Sequence, residues 1–185
     1  MISYSIHFCD NCSLGIFNEF IPINGQGENT DIMIIGSTPN ATDIKHNKPF
    51  YSKSGKMLRR ELKKYKLEDK CYFTSVIKCK TPNNRPPRLN EIKVCKRWLF
   101  KEIQLYKPKI ILLFGIEAIN LFFPNIYYVK HMAWKYRLIN KTVIGCSYNM
   151  SYIFKNNDIN KDFTNFIERL VKIYQHLNPY HLITY

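Results

Sequence analysis

Hydrophobic positions along the chain follow two alternating periods. Asp31-Ile-Met-Ile-Ile-Gly36, Tyr72-Phe-Thr-Ser-Val-Ile77, Lys109-Ile-Ile-Leu-Leu-Phe-Gly115 and Lys141-Thr-Val-Ile-Gly145 are short apolar runs of strand length. Runs without polar alternation predict strands buried on both faces. Between them the spacing turns helical. Ser54-Gly-Lys-Met-Leu-Arg-Arg-Glu-Leu-Lys-Lys reads as an amphipathic helix, and residues 90–106 place Ile92, Cys95, Leu99 and Ile103 on one face. A short helix is expected over 117–123 and a closing helix over 161–177, while prolines confine 82–87 to a loop. Strands alternating with helices predict an α/β chain: a three-layer α/β/α domain around a central four-stranded parallel sheet. In such sheets sites form beyond the strands' C-terminal ends, here the loops after Ile35, Ser75, Phe114 and Ile144.

With 185 residues, 45% hydrophobic and 23% charged, the chain is expected to fold as a single domain over 1–185. No run reaches the ~18 apolar residues of a membrane span, and the opening residues lack a signal peptide's basic and apolar regions. A cytoplasmic monomer without a membrane partner, in a bacterial or viral setting, is the expectation. Lys and Arg outnumber Asp and Glu by 28 to 14, a net charge of +14 that favours a polyanionic partner through counterion release.

Four of the six cysteines form two pairs, Cys9-x₂-Cys12 and Cys79-x₁₅-Cys95. In a reducing compartment, paired thiols read as metal ligands rather than disulfides. Two such pairs suit a tetrahedral zinc ion or an iron–sulfur cluster, and spacing does not separate them. Cys71 and Cys146 lie beside apolar runs and read as small buried hydrophobes.

Around these cysteines the sequence resembles the iron–sulfur (family 4) branch of the uracil-DNA glycosylase superfamily. Gly36-Ser-Thr-Pro39 and Pro49-Phe50 through Leu58 are similar to its first motif, Gly-Glu-Ala-Pro-Gly followed by Pro-Phe-x-Gly-x-x-Gly-x-x-Leu. Thr74-Ser-Val-Ile-Lys78-Cys79-Lys-Thr-Pro82-Asn-Asn84-Arg85-Pro-Pro87, with Glu91 and Cys95, is similar to Thr-Asn-x-x-Lys-Cys-x-Pro-Pro-x-Asn-Arg-x-Pro. Phe114-Gly115-x-x-Ala118 resembles Leu-Gly-x-x-Ala, and the likeness runs over roughly residues 9–155.

The resemblance implies a uracil-DNA glycosylase-like fold, DNA as partner, and a [4Fe–4S] cluster on Cys9, Cys12, Cys79 and Cys95, with zinc as the alternative. It makes Gly36, Ser37, Thr38, Phe50 and Ser75 the base-binding residues, with Phe50 as the stacking ring. Asp43 would orient water or stabilise sugar charge, and Asn149 would contact the departing base. Lys53, Arg85, Ser151, Tyr152 and Lys155, with Lys78 and Lys80, would meet DNA, and Tyr152-Ile153-Phe154 occupies the place of an apolar wedge.

Three positions depart from the family. Ser37 replaces an acidic residue, Ser75 replaces the Asn that reads uracil, and Asn149 replaces the His of the third motif. A site that loses its edge-reading partner loses discrimination steeply, and the shorter Ser75 leaves room for a bulkier base. The expectation is a monofunctional DNA glycosylase for a modified pyrimidine, with phage DNA and antiviral defence as one setting. Uracil excision in repair and an inactive DNA-binding accessory protein are the alternatives.

Overall fold

The apolar runs become strands because β-branched and aromatic side chains fill both faces of a pleated ribbon. The computed structural model describes residues 6, 9–16, 22–28 and 30–179. Its strands are β1 (Ile32–Gly36), β2 (Cys71–Ser75), β3 (Ile110–Phe114), β4 (Lys135–Ile139) and β5 (Thr142–Ser147), in the order β2-β1-β3-β5-β4. The first four in that order run parallel, with Gly36 beside Ser75 and Phe114 beside Ser147 at their C-terminal ends. From β1 the chain goes outward to β2 and then crosses back to β3 on the other side. The direction of winding thus reverses between β1 and β3, where a crevice is expected.

The helices are α1 (Ser13–Ile16), α2 (Ala41–Lys45), α3 (Lys53–Lys64), α4 (Leu89–Tyr106), α5 (Ile116–Phe122), α6 (Met150–Lys155) and α7 (Asn160–Leu177). Alternate residues of β1 serve opposite cores. Ile32 and Ile34 pack with Leu58 and Leu62 of α3, Ile153 of α6 and Phe166 of α7. Met33 and Ile35 pack with Leu14 of α1, Leu99 of α4 and Ala118 of α5. The three layers match the sequence reading, and Cys71 and Cys146 are buried as expected.

The sheet is larger than the four parallel strands expected. β4 pairs antiparallel with β5 at the edge, joined through Asn140 and Lys141, both with positive φ (45° and 68°). Two such residues make the mirror-image turn that suits the twist of a hairpin. The apolar pattern missed β4 because Lys-Tyr-Arg-Leu-Ile is largely solvent-facing, with charges that guard an open edge. The second strand, read through Ile77, ends at Ser75. Val76 and Ile77 donate instead to the carbonyls of Gly36 and Ser37 (2.9 and 3.0 Å), which ties the loops after β1 and β2 together.

Most of the opening segment read for a targeting signal lies outside the described residues. Among the described residues no helix is long and apolar enough to cross a membrane.

Candidate active site

A cavity of about 510 Å³ opens at the reversal between β1 and β3. Its walls are the loops after β1, β2, β3 and β5. Ten sequence-nominated residues line it: Gly36, Ser37, Thr38, Asp43, Phe50, Ser75, Arg85, Asn149, Ser151 and Lys155. Lys53 faces a neighbouring groove, and Tyr152 is outside both, 46% exposed and packed on Tyr148 at 5.0 Å. In the wedge triplet Ile153 is fully buried, so its side chain is core, while Phe154 reaches the surface.

Phe50 is the most constrained residue of the cavity. Its φ is +54°, a region that bulky side chains enter only under constraint. The constraints are visible on both sides. Arg59 donates from Nε to the Phe50 carbonyl (3.0 Å) and from Nη2 to the Pro49 carbonyl (2.8 Å). Asp43 Oδ1 accepts from the N–H groups of Tyr51 (2.7 Å) and Ser52 (3.1 Å) just beyond. Two glycines make room: a Cβ on Gly36 would come within 3.0 Å of the Phe50 ring, and one on Gly55 within 2.4 Å of its backbone. Arg59, whose guanidinium also lies 3.7 Å over the Phe73 ring, was not picked out from sequence. Its signal was faint, one Arg in a helix of many cations.

The polar groups differ in how far they are committed. Ser75 donates its hydroxyl to the Ile77 carbonyl at 2.6 Å, so toward a ligand it is an acceptor only. Asp43 is 5% exposed, and its other oxygen accepts from Asn40 N at 3.1 Å, completing a capping box on α2. Burial pushes its carboxyl above the usual range against the pull of those three N–H groups. Asn149 caps α6 by accepting from Tyr152 N at 2.8 Å, which leaves its amide NH₂ to donate elsewhere.

Sequence reasoning missed Glu117. Its carboxylate lines the cavity beside Asn149: a Cβ on Gly115 would meet Asn149 Cβ at 3.3 Å and Glu117 Oε2 at 3.6 Å. Among the described residues Glu117 makes no hydrogen bond or ion pair. The legible signal was its position, two residues past Gly115, which follows β3.

Two nominated cations are held within the protein. Arg85 grips Glu91 in a bidentate pair (2.9 and 2.6 Å), and this pairing keeps the buried Glu91 carboxyl below its ordinary range. Lys78, read as a phosphate contact, is instead 2% exposed, with its ammonium on Glu102 Oε2 at 2.7 Å and on Thr74 Oγ1. It was misread because the loop that follows it is exposed while its own side chain turns inward.

Behind this network, Cys9, Cys12, Cys79 and Cys95 line one small cavity between the N-terminal segment, the loop after β2 and α4. Among the described residues no three ligand-type side chains converge on one point as a closed metal group. The donor set is nonetheless suited to a thiolate-bound centre. Asn11 Nδ2 donates to Cys9 Sγ (3.2 Å) and Lys78 N to Cys95 Sγ (3.4 Å), the N–H···S contacts that tune ligand sulfurs. Burial raises the Cys9 thiol and hydrogen bonds led by Asn11 outweigh it, so its net shift is downward. Cys95 is pushed up to about 11 by burial, with Cys12 and Cys9 adding like charge.

The family model of the Uracil DNA glycosylase superfamily matches residues 23–171. Over 141 residues the chain is 31% identical to a type-4 uracil-DNA glycosylase of Sulfurisphaera tokodaii, covering 70% of the chain and 64% of that protein. Over 129 residues it is 32% identical to the Saccharolobus solfataricus type-4 enzyme, covering 68% and 59%. The chain thus spans less than two thirds of the length of these curated relatives. The matched span contains all five strands and every wall of the cavity, and the chain belongs to the uracil DNA glycosylase superfamily.

Proposed function

We propose that this chain is a DNA glycosylase that hydrolyses the N-glycosidic bond of a flipped-out pyrimidine bulkier than uracil. The observation that carries the reading is Phe50, held at positive φ by Arg59 and Asp43 beside a cavity with ample room for an extruded base. A strained aromatic fixed from two sides suits a stacking platform for an extruded base.

In the reaction the C1′–N bond breaks with its electron pair passing to the departing base. The free amide NH₂ of Asn149 donates to that developing charge. Water forms the new C1′–O bond and gives its proton to Glu117, the cavity carboxylate without a partner among the described residues. Asp43, held by three N–H groups, keeps the Phe50 turn in place. Ser75 supports the larger substrate: its proton is committed to Ile77, so the paired donor and acceptor that read a uracil edge are lacking.

Cys9, Cys12, Cys79 and Cys95 would hold a [4Fe–4S] cluster. A tetrahedral zinc ion and a four-iron cluster with one thiolate per iron would both be served by four sulfurs lining one cavity; the likeness of the surrounding motifs to the iron–sulfur family supports the cluster. Bound there, the cluster supplies a staple between the N-terminal segment, the loop after β2 and α4.

The relatives' names favour uracil as the competing substrate. Oligonucleotides carrying uracil, 5-hydroxymethyluracil, 5-hydroxymethylcytosine or its glucosylated form, followed by alkaline cleavage, separate the readings. Excision of a modified base above uracil is expected, with protection against phage carrying that base as the corresponding programme. Cleavage of uracil alone overturns the altered specificity. No cleavage of any substrate overturns the enzyme reading in favour of an accessory DNA-binding role.

A further inference from the structure

A second cavity, about 600 Å³, lies outside the base site between α3 and α6. Lys53, Lys56, Arg60 and Lys63 line it from α3 together with Arg59, Phe154 lines it from α6, and Glu68, the one carboxylate in its lining, is taken up by Arg59. The four cations recur at i, i+3, i+7 and i+10, so they form one stripe along the helix. Their neighbours on α3 are neutralised: Arg59 pairs with Glu68 at 2.5 Å, and Lys64 with Glu61 at 2.6 Å. Among the described residues none of the four groove cations has a carboxylate partner.

This arrangement works against the helix that carries it. Like charges three and four residues apart cost about 0.2–0.5 kcal/mol per pair. Lys53 and Lys56 also stand at the positive N-terminal end of α3, whose first turn has no acidic residue. Local choices that oppose the fold mark functional sites. The missing element is an anion.

The groove also adjoins the base cavity on both of its walls. Lys53 is flanked by Ser52 and Ser54, which line the base cavity, and Phe154 precedes Lys155, which lines it too. From Lys53 to Lys63 the stripe runs about 15 Å at the helical rise. Four cations along that length can meet successive phosphates of one DNA strand.

We propose that this groove is a second binding site, for the phosphodiester backbone of the DNA strand as it leaves the flipped nucleotide. Phe154 supplies the wall on which a neighbouring base or sugar rests. The inference deepens the glycosylase reading and rests on it: the substrate is held asymmetrically, with successive phosphates gripped on one side of the target nucleotide.

The test is the salt dependence of binding to an oligonucleotide with an abasic-site analogue. Wild type is compared with Lys53→Gln/Lys56→Gln/Arg60→Gln/Lys63→Gln and with a control of equal charge loss, Lys93→Gln/Lys96→Gln/Lys130→Gln/Lys172→Gln. Each phosphate contact contributes about 0.7–0.9 to the slope of log K against log salt, so the groove variant should flatten it by about two to three and the control by less than one. Removing like charges from α3 should leave the melting temperature equal or higher, and single variants should each lower the slope by less than one. Equal slopes in the groove and control variants overturn the proposal. If wild type excises no base, the glycosylase reading fails whatever the slopes. If it excises a base and the groove variant keeps the wild-type slope, only the groove fails.

Discussion

At the cysteine corner the polar groups are committed to one another; around the base cavity, on the opposite side of the loop after β2, several are not. Glu102 accepts from Lys78 and Thr74 at 2.7 Å through one oxygen, and from Tyr72 and Gly25 at 3.3 Å through the other. Between the two regions, Glu91 is gripped by Arg85 of the cavity wall and accepts from Arg88 N at 2.7 Å. Across the sheet end, Glu117 and the amide NH₂ of Asn149 face the cavity without protein partners among the described residues. Buried polar groups that satisfy each other hold a fold rigid, whereas the half-buried Glu117 and the exposed Asn149 stay accessible to whatever enters the cavity. One region is built to stay as it is and the other to meet something.

The largest expected effect breaks the pocket alone. Glu117→Gln keeps the shape and removes the proton acceptor, so single-turnover excision should fall about 10²–10⁴-fold. Its melting temperature and affinity for an abasic-site analogue should stay at wild-type values. A rate within threefold of wild type would remove Glu117 from the mechanism, and an equal loss of affinity would make it a binding group instead. The mirror image lies at the corner. Glu102→Gln leaves the Lys78 ammonium buried without its counter-charge, which costs about 3–5 kcal/mol. Denaturant unfolding should register that loss, while the excision rate per folded molecule stays close to wild type. A stable variant with lost activity would mean that the two regions are not separable in this way.

The residues that line both regions were legible in the sequence, and the partners that their side chains hold were not. Cysteine spacing, prolines and four apolar runs carry their own chemistry, and they led to the layers, the parallel sheet and the loops that build the site. β4 escaped because an edge strand facing water has no apolar signature. Lys78 escaped because a lysine's partner lies on another element: Glu102 is 24 residues away in α4. Glu117 and Asp43 show the limit most directly. Both are acids in loops or first turns beside the cavity, and their residue types make either one a fair catalytic candidate. Only the placement of Asn40, Tyr51 and Ser52 around Asp43, with no such donors around Glu117 among the described residues, separates a held carboxylate from a free one.

Asp43 therefore tests the boundary of the comparison, since it lines the cavity yet is satisfied as the corner is. Asp43→Asn turns one acceptor into a donor facing an N–H group, which should cost about 1–3 kcal/mol of stability. Because the same contacts set the turn at Phe50, excision should fall together with stability, unlike either variant above. The pH dependence adds a second readout. Burial holds this carboxyl above its ordinary value, so between the unfolded and folded values the folded protein binds the extra proton and its stability falls as pH rises. Asn has no such titration, and the stability gap between variant and wild type should narrow as pH climbs from about 4 through that window. A gap that stays constant there would mean that burial does not shift the Asp43 carboxyl, and one that widens would mean that its N–H partners outweigh burial; a rate loss with stability and pH profile unchanged would return it to the chemistry as the residue that handles water.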